Sequence, residues 1–195
     1  MKKIRKTAKA LGEADKAVAD AVAPYVETPP VRAISWLSEV GDQPPLRTLC
    51  AAVVAAGLAG PDPRLMRGGV RMIAAHTLAT AAKSAIKHRV DRTRPHKDKD
   101  AALKPGRHRG KDYASFPSGH SAGAIAVARA YAREYPEHKA AALAGAGTVA
   151  LAQIPRSAHY PTDVGSGLVI GWLTEALVDA VLTPLLDKLP PDEGL

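Results

Sequence analysis

Proline and alanine alternate along this chain, and that alternation limits the possible fold more than any other feature. The sequence holds 16 prolines. Those in Thr28-Pro29-Pro30, Pro61-Asp62-Pro63, Pro95, Pro105-Gly106 and Pro190-Pro191 separate alanine-rich runs of helical length. Aromatic residues make up only 4% and no alternating polar-apolar pattern appears, so strands have little to be built from. Periodicity predicts short amphipathic helices over 9–22 and 31–40, an apolar helix over 46–60 and a long one over 64–92. Further helices are expected over 119–134, 139–154 and 162–185. The fold class is therefore all-α, a bundle of about five to six helices packed on small side chains. At 195 residues this is one domain overall. An N-terminal amphipathic segment, 1–45, precedes the helical domain proper, 46–187. Cys50 is the only cysteine and sits in an apolar run, which excludes disulfides and thiolate metal sites and makes it a buried small residue.

The net charge of +8 is unevenly spread. Residues 1–10 carry five basic and no acidic side chains, and residues 87–112 carry ten basic and four acidic ones. The N-terminal block lacks the apolar core of a signal peptide. No aromatic residue interleaves with the second block before Tyr113 and no nucleic-acid motif is present, so an anionic small-molecule or lipid substrate explains it better than DNA or RNA.

Three short strings concentrate the chemistry: Lys87-x6-Arg94-Pro95, Pro117-Ser118-Gly119-His120 and Arg156-x2-His159-x3-Asp163. Lys87 and Arg94 lie two helical turns apart and share a face with His76, Thr80, Lys83 and Asp91, an arc of about 80°. A polar stripe on an apolar helix suggests a lined cavity. Arg94 suits bidentate phosphate contact and Lys87 a point charge. Arg89 and Arg92 point elsewhere and are expected to be loop or interface charges. Ser118 is a natural N-cap, Gly119 lets an anion approach the backbone, and the free N–H groups of the helix start make a phosphate site beside His120. Asp163, in the first turn after Pro161, can accept a hydrogen bond from one ring nitrogen of His159 and leave the other free to attack. Fixed cations, a helix start and two imidazoles are the inventory that phosphoryl transfer needs. No histidine has paired carboxylates at zinc spacing, so neither a metal nor another cofactor is expected.

These strings resemble the signature of the type-2 phosphatidic acid phosphatase family, the lipid-phosphatase branch of a superfamily that also holds bacterial acid phosphatases and vanadium haloperoxidases. The resemblance spans Lys87 to Asp163. It implies that Lys87 and Arg94 bind substrate phosphate, helped by Ser118 and Gly119. It also implies that His159 forms a phosphohistidine later hydrolysed by water, and that His120 protonates the leaving group. The third string departs from the family pattern. Where a Ser-Arg pair is usual, Ala152 and Gln153 stand, and Arg156 comes only three residues before His159. Either Arg156, if Pro155 ends the helix early, or Gln153 as a neutral donor fills that phosphate position.

The resemblance also implies a phosphorylated lipid substrate and an integral, multi-pass membrane protein. Composition alone is compatible with a soluble bundle, since the longest uncharged stretches, 113–128 and 140–155, fall short of a span. Asp20, Glu27, Arg32 and Glu39 exclude a clean span before residue 46, which puts both basic blocks on one side. The positive-inside rule then favours a cytoplasmic site, whereas most of the family's lipid phosphatases face outward. Two alternatives stay open: a soluble acid phosphatase acting on small phosphoesters, and a non-catalytic protein that holds anionic lipid or polyphosphate.

Overall fold

The computed structural model describes residues 2–97, 101–106 and 110–186; the expected closure at Pro190-Pro191 lies outside them. Seven α-helices follow one another: α1 (Lys2–Val22), α2 (Pro29–Ser38), α3 (Gln43–Ala59), α4 (Pro63–Lys87), α5 (Gly119–Glu134), α6 (Lys139–Leu151) and α7 (Pro161–Leu186). The expected all-α bundle is what forms. Strand structure among the described residues is limited to a two-residue hairpin, β1 (Val90–Asp91) with β2 (Lys104–Pro105), and one bridge between Arg92 and Ala114.

Prolines open helices here as well as separating them. Pro29, Pro44, Pro63 and Pro161 stand in the first turns of α2, α3, α4 and α7, where no N–H is required of them. This is why α2 begins two residues before the expected helix over 31–40. Asp62 caps α4 by accepting from the Leu65 N–H at 3.0 Å, and Ser118 caps α5 by accepting from Ser121 N at 3.3 Å. The expected helix over 64–92 ends earlier, at Lys87, because residues 90–94 pair with neighbouring loops. Val90 and Asp91 join the hairpin, while Arg92 N and Arg94 N donate to Tyr113 O and Asp112 O. Asp91 therefore leaves the helical stripe, and its carboxylate packs against Gly106.

The core lies where α3, α4 and α5 meet, around Leu46, Cys50, Met72, Ala75, Ala126 and Val127. Cys50 is fully buried, as its apolar setting suggested. Alanine and glycine let the helices approach closely. A Cβ at Gly167 would stand 2.4 Å from the Ser118 carbonyl oxygen, and one at Gly171 would stand 2.2 Å from that of Ala122. The start of α7 thus lies on the start of α5, and Ser118 N donates to Asp163 O at 3.0 Å.

Helix α7 is, among the described residues, the one helix long and apolar enough to cross a membrane, with a mean hydropathy of 1.6 over its best window. Only 11% of that window is buried, unlike the core helix of a soluble bundle. Val169, Trp172, Leu173, Leu177 and Val181 all face outward.

Candidate active site

The C-terminal end of α4, the first turn of α5 and the loop leading into α7 converge on an opening of about 120 Å³. That is room for one phosphoryl group, or about four waters at ~30 Å³ each. Lys83, Lys87, Arg94, Gly119, His120 and His159 line it, together with His76, Thr80 and the 41–43 segment. His76, Thr80, Lys83 and Lys87 of the expected stripe line a cavity from α4, whereas Arg94, expected on the same helical face, lies beyond the helix end and reaches the opening from the following loop. His76 is buried, and its Nδ1 has no hydrogen-bond partner among the described residues.

One turn and one side-chain bond hold the loops in place. Ser157 adopts a left-handed conformation at φ 52°, uncommon for a residue with a side chain. Its carbonyl accepts from His96 N at 3.2 Å and meets His96 Nδ1 at 3.0 Å, tying the segment after Arg94 to the one before His159. On the other side, Lys87 Nζ donates to Ala114 O at 2.5 Å.

His159 is buried, with Nδ1 turned to Asp163 Oδ2 at 3.7 Å and to Ser115 Oγ at 3.5 Å. Both are longer than a closed hydrogen bond. Nε2 is therefore the ring nitrogen directed away from the carboxylate. Burial pulls the imidazole down to about 4 from its ordinary 6.5, outweighing the opposing pull of Asp163, so the ring is neutral at physiological pH. Asp163 is fully buried; Oδ2 accepts from Ser115 Oγ at 2.6 Å and from Tyr160 N at 2.9 Å.

His120 occupies the first turn of α5 with its ring against Gly41, where a Cβ would come within 3.3 Å of it. Asp42 Oδ1 stands 3.1 Å from His120 Nε2 but off the hydrogen-bonding direction, so that nitrogen is buried without a hydrogen-bond partner among the described residues. Ser118 is fully buried and spends its hydroxyl within the cap, accepting from Ser121 Oγ at 2.9 Å. It lies beneath the opening, whereas Gly119 borders it directly.

The third string differs from expectation. Arg156 does not reach the opening: its Nη1 donates to Ser38 Oγ at 2.9 Å and its Nη2 pairs with Glu39. Helix α6 ends at Leu151, and Gln153 turns its Nε2 back to Val149 O at 2.9 Å, leaving Oε1 buried and unpaired among the described residues. Neither candidate donor points at the site. The segment between α2 and α3, carrying Glu39 and Asp42, covers it. Atoms of Glu39, Asp42 and His120 that could ligate a metal come within 4.8 Å of one another, a grouping that spacing along the chain did not reveal, although Glu39 is committed to Arg156. That ion pair holds the Glu39 carboxyl below its ordinary range even though burial opposes it.

Arg92 is the largest correction. Expected to point away from the site as a loop or interface charge, it is buried and donates to Asp163 Oδ1 at 2.6 Å and to Asp15 Oδ2 at 2.5 Å. Sequence reasoning also missed Ser115 and Asp15. A signal existed for the latter: an acid placed between Leu11 and Ala19 on the apolar face of α1, spaced by one helical turn each way.

Fold and site together define a class: all-helical proteins that gather two histidines and several cations about an anion-sized opening. The sequence profile of the PAP2 superfamily matches residues 68–183, more than half of the chain, and the chain belongs to that superfamily. Over 82 residues it is 38% identical to proteins named lipid A 1-phosphatase from Rhizobium etli and Rhizobium johnstonii. The match takes in 41% of this chain and 35% and 34% of theirs, so the chain spans about a third of the length of the curated relatives it matches. A transmembrane PAP2-type phosphatidylglycerolphosphate phosphatase from Bacillus subtilis, known from its crystal structure, shares the fold. Its TM-score is 0.65 at 21% identity, with 93% of this chain and 89% of that one covered.

Proposed function

We propose that this protein is a lipid phosphatase that hydrolyses a phosphomonoester or diphosphate through a phosphohistidine. The observation that carries this is the meeting of His120 and His159 with Lys83, Lys87 and Arg94 at one opening of about 120 Å³. Lys87 and Arg94 neutralise the phosphoryl oxygens and the Gly119 backbone approaches them, with Ser118 fixing that helix start. The lone pair of His159 Nε2 forms the N–P bond as the ester P–O bond breaks, and His120 gives its proton to the departing oxygen. Asp163 orients His159 and balances its growing positive charge. A water, deprotonated by His120, then breaks the N–P bond and releases inorganic phosphate. Arg156 joins the phosphate ligands only after leaving Glu39.

The substrate is a membrane lipid and the bundle is multi-pass. Support comes from the outward apolar face of α7, which carries Trp172, from exposed Trp36 on α2 and Leu58 on α3, and from the membrane setting of the structural relative. Candidate substrates are phosphatidate, phosphatidylglycerol phosphate, polyprenyl diphosphate and, from the name of the rhizobial relatives, lipid A. Phosphate release from that panel, by wild type and by His159→Ala in detergent, tests the proposal, and vanadate should inhibit the wild type. Equal release by both proteins would leave a non-catalytic anion-binding role. Turnover confined to small water-soluble esters by a detergent-free monodisperse protein would instead favour a soluble acid phosphatase.

A further inference from the structure

The guanidinium of Arg92 is used almost completely. Nε donates to Ala101 O at 2.9 Å, Nη1 to Thr162 Oγ1 at 2.7 Å and to Asp163 Oδ1 at 2.6 Å, and Nη2 to Asp15 Oδ2 at 2.5 Å. Its flat face lies 4.3 Å over the Tyr160 ring. Arginine, with its rigid planar fork, can satisfy this set of acceptors, whereas lysine cannot.

Asp15 belongs to α1, far from the three strings in sequence. Oδ1 accepts from Thr162 N at 3.1 Å, and Thr162 Oγ1 donates to Oδ2. The first turn of α7, whose N–H groups have no partner within their own helix, is thus capped by a carboxylate from α1. Among the described residues of α1 only Asp15 and Ala19 are buried. A groove of about 920 Å³, bordered by Leu11, Leu103 and Phe116, separates much of the rest from the bundle. The attachment of α1 therefore rests on its one buried carboxylate and on Ala19, which packs with Ala101 and Tyr160.

The two acids share a cation, and one of them is the partner of His159. Arg92 fixes Oδ1 of Asp163 while Oδ2 of the same group faces the imidazole, so one bond separates Arg92 from the residue that orients the nucleophile. We propose that Arg92, held by Asp15, is a positioning residue for the Asp163–His159 couple, and that the N-terminal helix is thereby a working part of the active site. This rests on the phosphatase reading above.

The other charged groups facing the couple are Lys87 from α4, Arg94 from the following loop and His120 from α5. All three border the opening, on the far side of the couple from the Arg92–Asp163 bond, so they stay in place when Arg92 is removed. Arg92→Met should lower kcat by about 10²-fold, the loss expected when a reacting group is misplaced by roughly an ångström. KM should stay within about threefold, because the phosphate ligands remain. Without the cation, the couple holds its proton more tightly and the acid limb of the rate profile moves to higher pH. Arg92→Lys should restore part of kcat and return the acid limb. Asp15→Ala should lower kcat by about tenfold, with circular dichroism unchanged.

Nitrogen-15 NMR of labelled histidine supplies a readout that needs no turnover: the His159 titration should move upward in Arg92→Met. If wild type turns over no substrate, the phosphatase reading fails, and an upward NMR shift still supports the positioning role. If Arg92→Met does not fold, Asp15→Ala and Thr162→Val carry the test. Wild-type kcat, acid limb and His159 titration in folded variants would overturn the proposal.

Discussion

The two ends of the bundle handle charge in opposite ways. At the end formed by the start of α4 and the later halves of α5 and α7, each cation has a carboxylate. Arg71 binds Glu134 at 2.7 Å and Asp179 at 3.0 Å, Arg129 and Arg133 share Glu175 at 2.6 and 2.8 Å, and Arg64 meets Glu137 at 2.8 Å. Glu175 is itself buried. At the other end Lys83, Lys87 and Arg94 crowd together, while the nearby carboxylate of Asp163 is occupied by Arg92, Ser115 and Tyr160. Matched charges hold helices together. Three cations gathered about one opening, with Asp42 the carboxylate on its border, leave a positive excess that an arriving anion relieves, and so mark where one binds.

That contrast is open to attack by mutation. The largest effect belongs to His159→Ala, expected to lower phosphate release by roughly 10⁴–10⁶-fold, the scale of deleting a covalent nucleophile; a phosphate-release assay on folded protein checks it. Next, Arg94→Ala should cost about 10²–10³ in kcat and leave the melting temperature nearly unchanged. Glu175→Ala should do the reverse. By removing the carboxylate of Arg129, while Arg133 keeps Asp179 at 3.2 Å, it should cost about 1–3 kcal/mol of stability while turnover per folded molecule is preserved. Denaturant melts alongside kinetics would reveal whether the two ends really differ; if both variants behaved alike, the contrast would collapse.

Acid sharpens the same point. Burial lowers both the nucleophile His159 and the proton donor His120 to about 4, so turnover should rise as pH is lowered toward about 4 and fall roughly tenfold per unit below it. Between 6.5 and about 4 the unfolded chain takes up a proton that native His159 refuses, so stability declines as pH is lowered through that window. The smallest effect should come from Glu39→Gln. Releasing Arg156 toward the opening should lower KM by about threefold, measured on the best substrate of the panel, with kcat nearly unchanged.

Much of this was legible in the sequence. Lys87, Arg94, Gly119, His120 and His159 sit in strings whose residue types already state their chemistry, and each borders the opening. The helices were readable because alanine runs and prolines mark them locally. What the sequence did not disclose depended on tertiary placement. Arg92 looked like its neighbours in a basic loop, and only the return of residues 112–115 alongside it carries it inward. Asp15 acquires meaning from Thr162, 147 positions away. The sequence offers either Arg156 or Gln153 for one phosphate position, and the early end of α6 turns the first toward Glu39 and the second back on its own helix.

The closeness of α5 and α7 has a practical outcome. Exchanging a mid-helix glycine for alanine is a routine way to make a protein hardier, gaining up to about 1 kcal/mol where space permits. At Gly167 and Gly171 there is no such space, since each faces a carbonyl oxygen well inside contact range. One added methyl would wedge apart the two helix starts that carry His120 and Asp163. A stabilising recipe applied blindly would then pull the candidate site apart without altering a single ionisable group.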